Sequence, residues 1–69
     1  SARVRSSNEE SRRYVLTAEQ LRHGCRIEHT FEDGRSVSVR IPPRTKPGKV
    51  IPAYDGVSGK VELIRIDVE

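Results

Sequence analysis

The chain is most constrained by the stretch from Glu32 to Lys49, EDGRSVSVRIPPRTKPGK, which contains a turn, an alternating strand and a proline-containing basic loop. Apolar and polar residues alternate through positions 36–41, which is the period-2 pattern of a half-buried strand. Asp33 and Gly34, directly before this strand, form a strong hairpin signal. We therefore expect a β-hairpin at the centre of the fold.

The distribution of apolar residues selects the register of this hairpin. A two-residue turn would mix apolar and polar side chains on each face of the hairpin. A three-residue loop at 32–34, with Gly34 in the left-handed conformation, separates an apolar face from a polar one. We predict this register, in which the apolar face pairs Cys25 with Ile41, Ile27 with Val39 and His29 with Val37. The polar face then carries Arg26, Glu28, Thr30, Ser36, Ser38 and Arg40.

The segment before the hairpin predicts one strand and one short helix. Residues 1–11 are polar, and we expect a disordered lead-in there, followed by one domain over 12–69. Positions 12–16 read as an edge strand. Thr17 and Gln20 have the spacing of a capping box, so a helix is predicted from Ala18 to His23, with left-handed Gly24 ending it.

The segment after the hairpin predicts two more strands. Pro42 and Pro43 end the pairing of the third strand, residues 45–48 form a turn, and positions 49–54 allow a brief fourth strand. The last strand, 60–68, changes its apolar phase midway, so we expect a bulge or burial on both faces. The predicted fold is mainly β, a small β-sandwich-like domain of about five short strands and one short helix.

Composition limits the class of protein further. At 69 residues with 33% hydrophobic and 4% aromatic residues, the chain has a thin core and marginal stability is expected. A single cysteine, Cys25, excludes an internal disulfide and a cysteine-based zinc site, and we predict a buried, inert thiol. No apolar run approaches the length of a membrane span, and no signal-peptide pattern opens the chain, so a cytoplasmic location is expected.

The central stretch and its flanks resemble the C-terminal, substrate-binding region of DnaJ-type (Hsp40) co-chaperones. That family shows a DG turn, an alternating strand ending in Ile-Pro-Pro or Ile-Pro-Ala, and a loop closing on Pro-Gly-Lys or a similar triplet. The run DGRSVSVRIPPRTKPGK follows this order. Upstream, LTAEQL followed by Gly24 resembles the short helix of the family, and VELIRI resembles its closing strand. The resemblance covers roughly residues 12–68 and implies a DnaJ C-terminal-like fold.

The resemblance also implies a function and a site. Family members bind extended apolar segments of unfolded proteins in a shallow groove beside their first two strands, by strand addition, and deliver them to Hsp70. Carried over by position, the peptide-binding residues would be Tyr14, Leu16, Ile27, His29 and Phe31. We expect Tyr14, His29 and Phe31 to be partly exposed there, and Leu16 and Ile27 to belong mainly to the core.

The chain departs from the family pattern at several positions. Arg44 stands where a glycine is usual, and His29 stands where an aliphatic residue is more usual. No J domain with a His-Pro-Asp motif is present, so peptide binding is the only part of the chaperone cycle expected of these residues. The family's first C-terminal subdomain can also accept the acidic tail of Hsp70, for which the basic candidates are Arg26, Arg40, Arg44, Lys46 and Lys49.

The remaining chemistry gives weaker hypotheses. No catalytic constellation is visible: His29 lies on the apolar face with no obvious acid beside it, and two histidines in different elements are poor evidence for a metal site. We therefore predict neither an enzyme nor a cofactor. Net charge is +3, and residues 35–54 contain no acidic residue, so weak DNA binding through the basic patch at 35–49 is one alternative, although aromatic residues for base stacking are lacking. A structural module that docks on a neighbouring domain is another.

Overall fold

The computed structural model of the chain describes residues 12–69, and the predicted lead-in lies outside these residues. The mainly β class, with five short strands in two small sheets and one short helix, is confirmed. In chain order the elements are β1 (Arg13–Leu16), α1 (Ala18–His23), β2 (Cys25–Thr30), β3 (Ser36–Ile41), β4 (Lys49–Tyr54) and β5 (Val61–Val68). Within residues 12–69, no helix has the length and apolar character that crossing a membrane requires.

The last strand occupies the middle of the larger sheet. Its order is β1-β5-β4, with β1 parallel to β5 and β4 antiparallel to β5. The second sheet is the β2–β3 hairpin. The first described strand, β1, therefore pairs with the last, β5. Within residues 12–69, consecutive strands pair in two places, β2 with β3 and β4 with β5.

The hairpin has the predicted register and loop. Cys25 lies opposite Ile41, and the pairing continues without interruption to Thr30 opposite Ser36. The Phe31 amide donates a hydrogen bond to the Arg35 carbonyl at 2.7 Å, and the Gly34 amide donates one to the Phe31 carbonyl at 2.9 Å. Gly34 has φ of 93°, so the three-residue loop depends on the residue that tolerates this conformation.

The helix begins and ends where its capping residues predict. The Thr17 hydroxyl accepts from the Gln20 amide at 3.1 Å, and the Gln20 side chain accepts from the Thr17 amide at 2.9 Å. Gly24 ends the helix as predicted, but the predicted left-handed conformation is wrong, because its φ of 84° is combined with an extended ψ of 156°. Only glycine adopts this combination readily. Leu21 is the buried residue of this six-residue helix. Packing of that side chain holds a helix too short to be stable alone.

Apolar residues from both sheets and from the helix form one core. On β5 the inward side chains are Ile64 and Ile66, which are fully buried, and they lie between β1 and β4 in the larger sheet. Ile41 of the hairpin is also fully buried. Within residues 12–69, the buried apolar residues are Leu16, Leu21, Phe31, Val39, Ile41, Ala53, Ile64 and Ile66.

The expectation of a bulge or of two buried faces in β5 is wrong. The pairing of β4 with β5 is regular from Lys49–Ile66 to Tyr54–Val61. Since side chains alternate along a strand, Val61 and Leu63 point away from the core, and they are 52% and 56% exposed. With three more residues they form an exposed group that we call the apolar outer face, which consists of Val15, Val50, Tyr54, Val61 and Leu63.

A buried carboxylate fixes the loop between β4 and β5. Asp55 accepts hydrogen bonds from Arg35 Nε at 2.7 Å, from the Ser58 hydroxyl at 2.8 Å and from the Val57 amide at 3.0 Å. The Arg35 guanidinium, and after it the Val57 amide and the Ser58 hydroxyl, hold the pKa of Asp55 well below its usual value. Asp55 therefore ties its own loop to the start of β3.

The close approach at Gly24 predicts an unequal cost of two glycine substitutions. A Cβ at Gly24 would lie 3.0 Å from the Ile41 carbonyl oxygen and 3.0 Å from the Pro43 nitrogen, whereas a Cβ at Gly34 would meet nothing within 4 Å. We expect Gly24→Ala to lower the free energy of unfolding by about 3 kcal/mol and Gly34→Ala by about 1 kcal/mol. Urea denaturation of both variants measures this difference, and equal losses would contradict it.

The lowered pKa of Asp55 predicts loss of stability in acid. A carboxyl whose pKa is lower in the folded chain than in the unfolded one, where it is about 3.9, stabilises the fold above that pH. That stabilisation is lost as the pH falls towards the folded-state pKa. We expect Tm to decrease as the pH is lowered below about 4. Asp55→Asn should lower Tm at pH 7 and make the acid decrease shallower.

Glu19→Gln is the matched control for this prediction. The Glu19 side chain is 70% exposed and contacts only its helix neighbours Arg22 and His23. Exposed ion pairs contribute little to stability, so this variant should keep the acid decrease of the original chain. An acid decrease in Asp55→Asn as steep as in the original chain would show that Asp55 does not cause it.

Candidate functional site

The outer edge of β2 presents unpaired backbone groups. Phe31 is hydrogen-bonded to Arg35 at the loop end, and bonded pairs in an antiparallel ladder recur at every second residue. The odd-numbered residues of β2 therefore bond β3. Arg26, Glu28 and Thr30 direct their amide and carbonyl groups away from β3. Within residues 12–69, no strand pairs with this edge.

The outer edge of β1 is also unpaired within the described residues. The Arg12 carbonyl accepts from the Arg65 amide at 2.7 Å, and the Leu16 carbonyl accepts from the Glu69 amide at 2.9 Å. Even-numbered residues of β1 therefore bond β5. Arg13 and Val15 direct their backbone groups outward. This edge is shorter than that of β2 and offers two residues rather than three.

A polar cluster connects β1, β2 and β5 beside these edges. The Tyr14 hydroxyl lies 2.8 Å from His29 Nδ1, and His29 Nε2 lies 2.7 Å from Glu62 Oε1. Since an ionised carboxylate only accepts, His29 donates from Nε2, and in the neutral ring Nδ1 accepts the Tyr14 hydroxyl proton. Burial is the main cause that raises the pKa of Tyr14, and the negative charge of Glu62 is the second.

Glu62 was not identified from the sequence, and the prediction that His29 has no acidic residue beside it is wrong. The signal was present: Glu62 is the acidic residue on the inward row that continues through Ile64 and Ile66. A carboxylate at an inward position needs a buried donor, and His29 is that donor. Partner assignment required the packing of β5 against the hairpin, which pattern alone does not give.

The predicted peptide-binding residues separate into buried and half-buried groups. His29 is 1% exposed and Phe31 is 3% exposed, so the partial exposure expected for them is wrong. Their rings pack edge to face at 5.1 Å between the two sheets, and both nitrogens of His29 are bonded. Leu16 is buried in the core as expected. Tyr14 and Ile27 are half-buried, and their contact with a peptide stays a prediction.

The predicted basic residues occupy two places. Arg26 and Arg40 lie directly opposite each other on the polar face of the hairpin, where Arg26 Nη1 donates to the Ser38 hydroxyl at 3.2 Å. Arg44 and Lys46, with Arg22, line an open groove of about 310 Å³ between α1 and the loop after β3. Lys49 begins β4.

The basic loop after β3 is held against the helix. The Arg44 amide donates to the Leu21 carbonyl at 2.7 Å, and Arg44 has φ of 61°, which is unfavourable for a residue with a Cβ.

Cys25 is half-buried, whereas the sequence had predicted a buried thiol. Residues 12–69 hold no group of three or more histidine, cysteine, aspartate or glutamate side chains placed to bind a metal ion.

The bonded state of His29 predicts the effect of removing its acidic partner. Glu62→Ala leaves the buried Nε2–H of His29 without an acceptor, so we expect the free energy of unfolding to fall by about 2 kcal/mol. Glu28→Ala removes an exposed carboxylate on the polar face of the same hairpin and should cost under about 0.5 kcal/mol. Chemical denaturation compares the two variants, and similar losses would contradict a structural role for the cluster.

No protein-family model matches this chain, and comparisons with curated proteins and with solved structures found no match either. The DnaJ-type resemblance therefore rests on the sequence motifs alone. The free edges of β1 and β2 and the cluster beside them are features of this chain's own geometry, whatever its family.

Proposed function

We propose that this chain is a non-enzymatic module that binds extended, apolar polypeptide segments by strand addition at the free edge of β2. The observation that carries this proposal is the row of outward backbone groups on β2. Arg26, Glu28 and Thr30 together offer three amide donors and three carbonyl acceptors, of which the Glu28 carbonyl also accepts a long contact of 3.5 Å from the Tyr14 hydroxyl. An extended segment would satisfy these groups without any rearrangement of the hairpin.

The two faces of an added strand would meet different surroundings. Alternate side chains would lie on the inner side of the hairpin, beside the half-buried Ile27 and Tyr14, and these positions favour apolar residues. The remaining side chains would lie on the polar face and stay in contact with water. Buried Leu16, His29 and Phe31 would support the edge from behind rather than touch the segment.

The Tyr14 hydroxyl lies close to one acceptor of this edge. Its oxygen is 3.5 Å from the Glu28 carbonyl oxygen, at the limit of hydrogen bonding, while its short contact is with His29. A peptide amide at ordinary distance would make a better bond to that carbonyl. In an intact DnaJ-type protein, segments bound in this way would be passed to Hsp70, as the resemblance implies.

A second candidate function is docking on a neighbouring domain, and the apolar outer face favours it. Val50, Tyr54, Val61 and Leu63 are each about half exposed on adjacent strands β4 and β5. Contiguous exposed apolar groups on small proteins often mark interaction surfaces. This face lies on the side of the larger sheet opposite the core, so docking there and strand addition at β2 involve different residues.

An NMR titration of the ¹⁵N-labelled chain tests the proposal. The ligands are an extended peptide with alternating apolar residues, an acidic peptide resembling an Hsp70 tail, and a short DNA duplex. With the apolar peptide we expect slower hydrogen exchange at the amides of Arg26, Glu28 and Thr30. The amides of Ile27 and His29 already bond β3, so their protection should change little.

Methylated peptides provide the matched control. Methylating the peptide nitrogens that face β2 should abolish binding, whereas methylating the alternate nitrogens should leave the edge bonds available. Equal effects of both sets would contradict strand addition. Shifts with DNA alone at Arg40, Arg44, Lys46 and Lys49 would favour nucleic-acid binding instead. Concentration-dependent shifts confined to the apolar outer face would favour docking.

A further inference from the structure

The charges along the free edge of β2 alternate in a defined order. The three residues whose backbone groups point outward are Arg26, Glu28 and Thr30, so the edge reads positive, negative and neutral from its start. Their side chains share the polar face and are exposed. In a strand added to this edge, the residues directly opposite them would lie on that face too, within reach of each charge.

Neither charge has an ionic partner within the described residues. Arg26 lies opposite Arg40 and contacts only the Ser38 hydroxyl, while Glu28 lies opposite Ser38. No ion pair of residues 12–69 includes Arg26, Glu28 or Arg40. Like charges opposite each other are unfavourable, so a carboxylate brought beside Arg26 would relieve the repulsion from Arg40.

Strand direction converts this charge order into a sequence preference. Antiparallel pairing is the more stable arrangement, and in it the added chain runs opposite to β2. The residue facing Glu28 then comes two positions before the residue facing Arg26. We propose that Arg26 and Glu28 select segments with a basic residue two positions before an acidic one and one apolar residue between them. This inference rests on the proposed strand addition.

Three peptides test this selectivity, and two of them have identical composition. One reads Thr-Val-Lys-Val-Glu-Val and the other has lysine and glutamate exchanged, and a third carries serine at both positions. We expect the first peptide to bind on the order of tenfold more tightly than the second at low salt, as measured by NMR titration. The ratio should approach unity at about 1 M salt, where charges are screened within a few ångströms.

A charge-exchange variant completes the test. Arg26→Glu combined with Glu28→Arg keeps the net charge of the chain and should reverse the ranking of the two charged peptides. Arg22→Glu combined with Glu19→Arg exchanges an exposed ion pair on the helix, away from the edge, and should leave the ranking unaltered. Wild-type chain that binds all three peptides equally would overturn the charge selectivity while supporting strand addition. Unchanged ranking in the exchange variant would also overturn it, and binding to none would overturn both.

Discussion

Alternation of apolar and polar residues in β3 is the constraint on which the rest of the structure depends. Val39 and Ile41 are buried on one side of the hairpin, and Ser38 and Arg40 are exposed on the other. A shift of one residue would turn both apolar side chains into water and both polar ones into the core. Few other residues compensate, because the buried cluster formed by residues 12–69 contains eight apolar side chains. The loop at 32–34 therefore fixes the register of the only hairpin in the second sheet.

Buried polar groups make contacts between strands and loops that the small apolar core does not provide. The contacts of His29 join β1, β2 and β5, and the contacts of Asp55 join the β4–β5 loop to the start of β3. Buried polar groups of this kind are costly without partners, so each contact disfavours alternative packings of the two sheets. The same contacts keep β1 and β2 close together at one side. The candidate edge is thus a product of the polar contacts as much as of the core.

Local features of the fold were predictable from the sequence, and long-range ones were not. The strand alternation, the capping box at Thr17 and the turn at Gly34 act between residues close in the chain, so the pattern determines them. The parallel pairing of β1 with β5 joins Tyr14 to Ile66, and no local signal encodes it. Phe31 and His29 were expected to be partly exposed because the sequence pattern shows neither the membership of Phe31 in the shared core nor the contacts of His29 with Tyr14 and Glu62. The prediction for Val61 and Leu63 was wrong because the sequence pattern does not distinguish exposed apolar residues from buried ones.

The central place of β5 has a consequence for the synthesis of the protein. Within residues 12–69, β1 and β4 each pair only with β5, which follows both of them in the chain. Until a ribosome has added residues 61–68, the larger sheet has no middle strand, and Ile64 and Ile66 are missing from the core. Pairing with a strand that follows all the other described strands delays completion of the fold until translation has passed β5. A nascent chain at that stage exposes its apolar strands and is itself the kind of extended segment that chaperones bind.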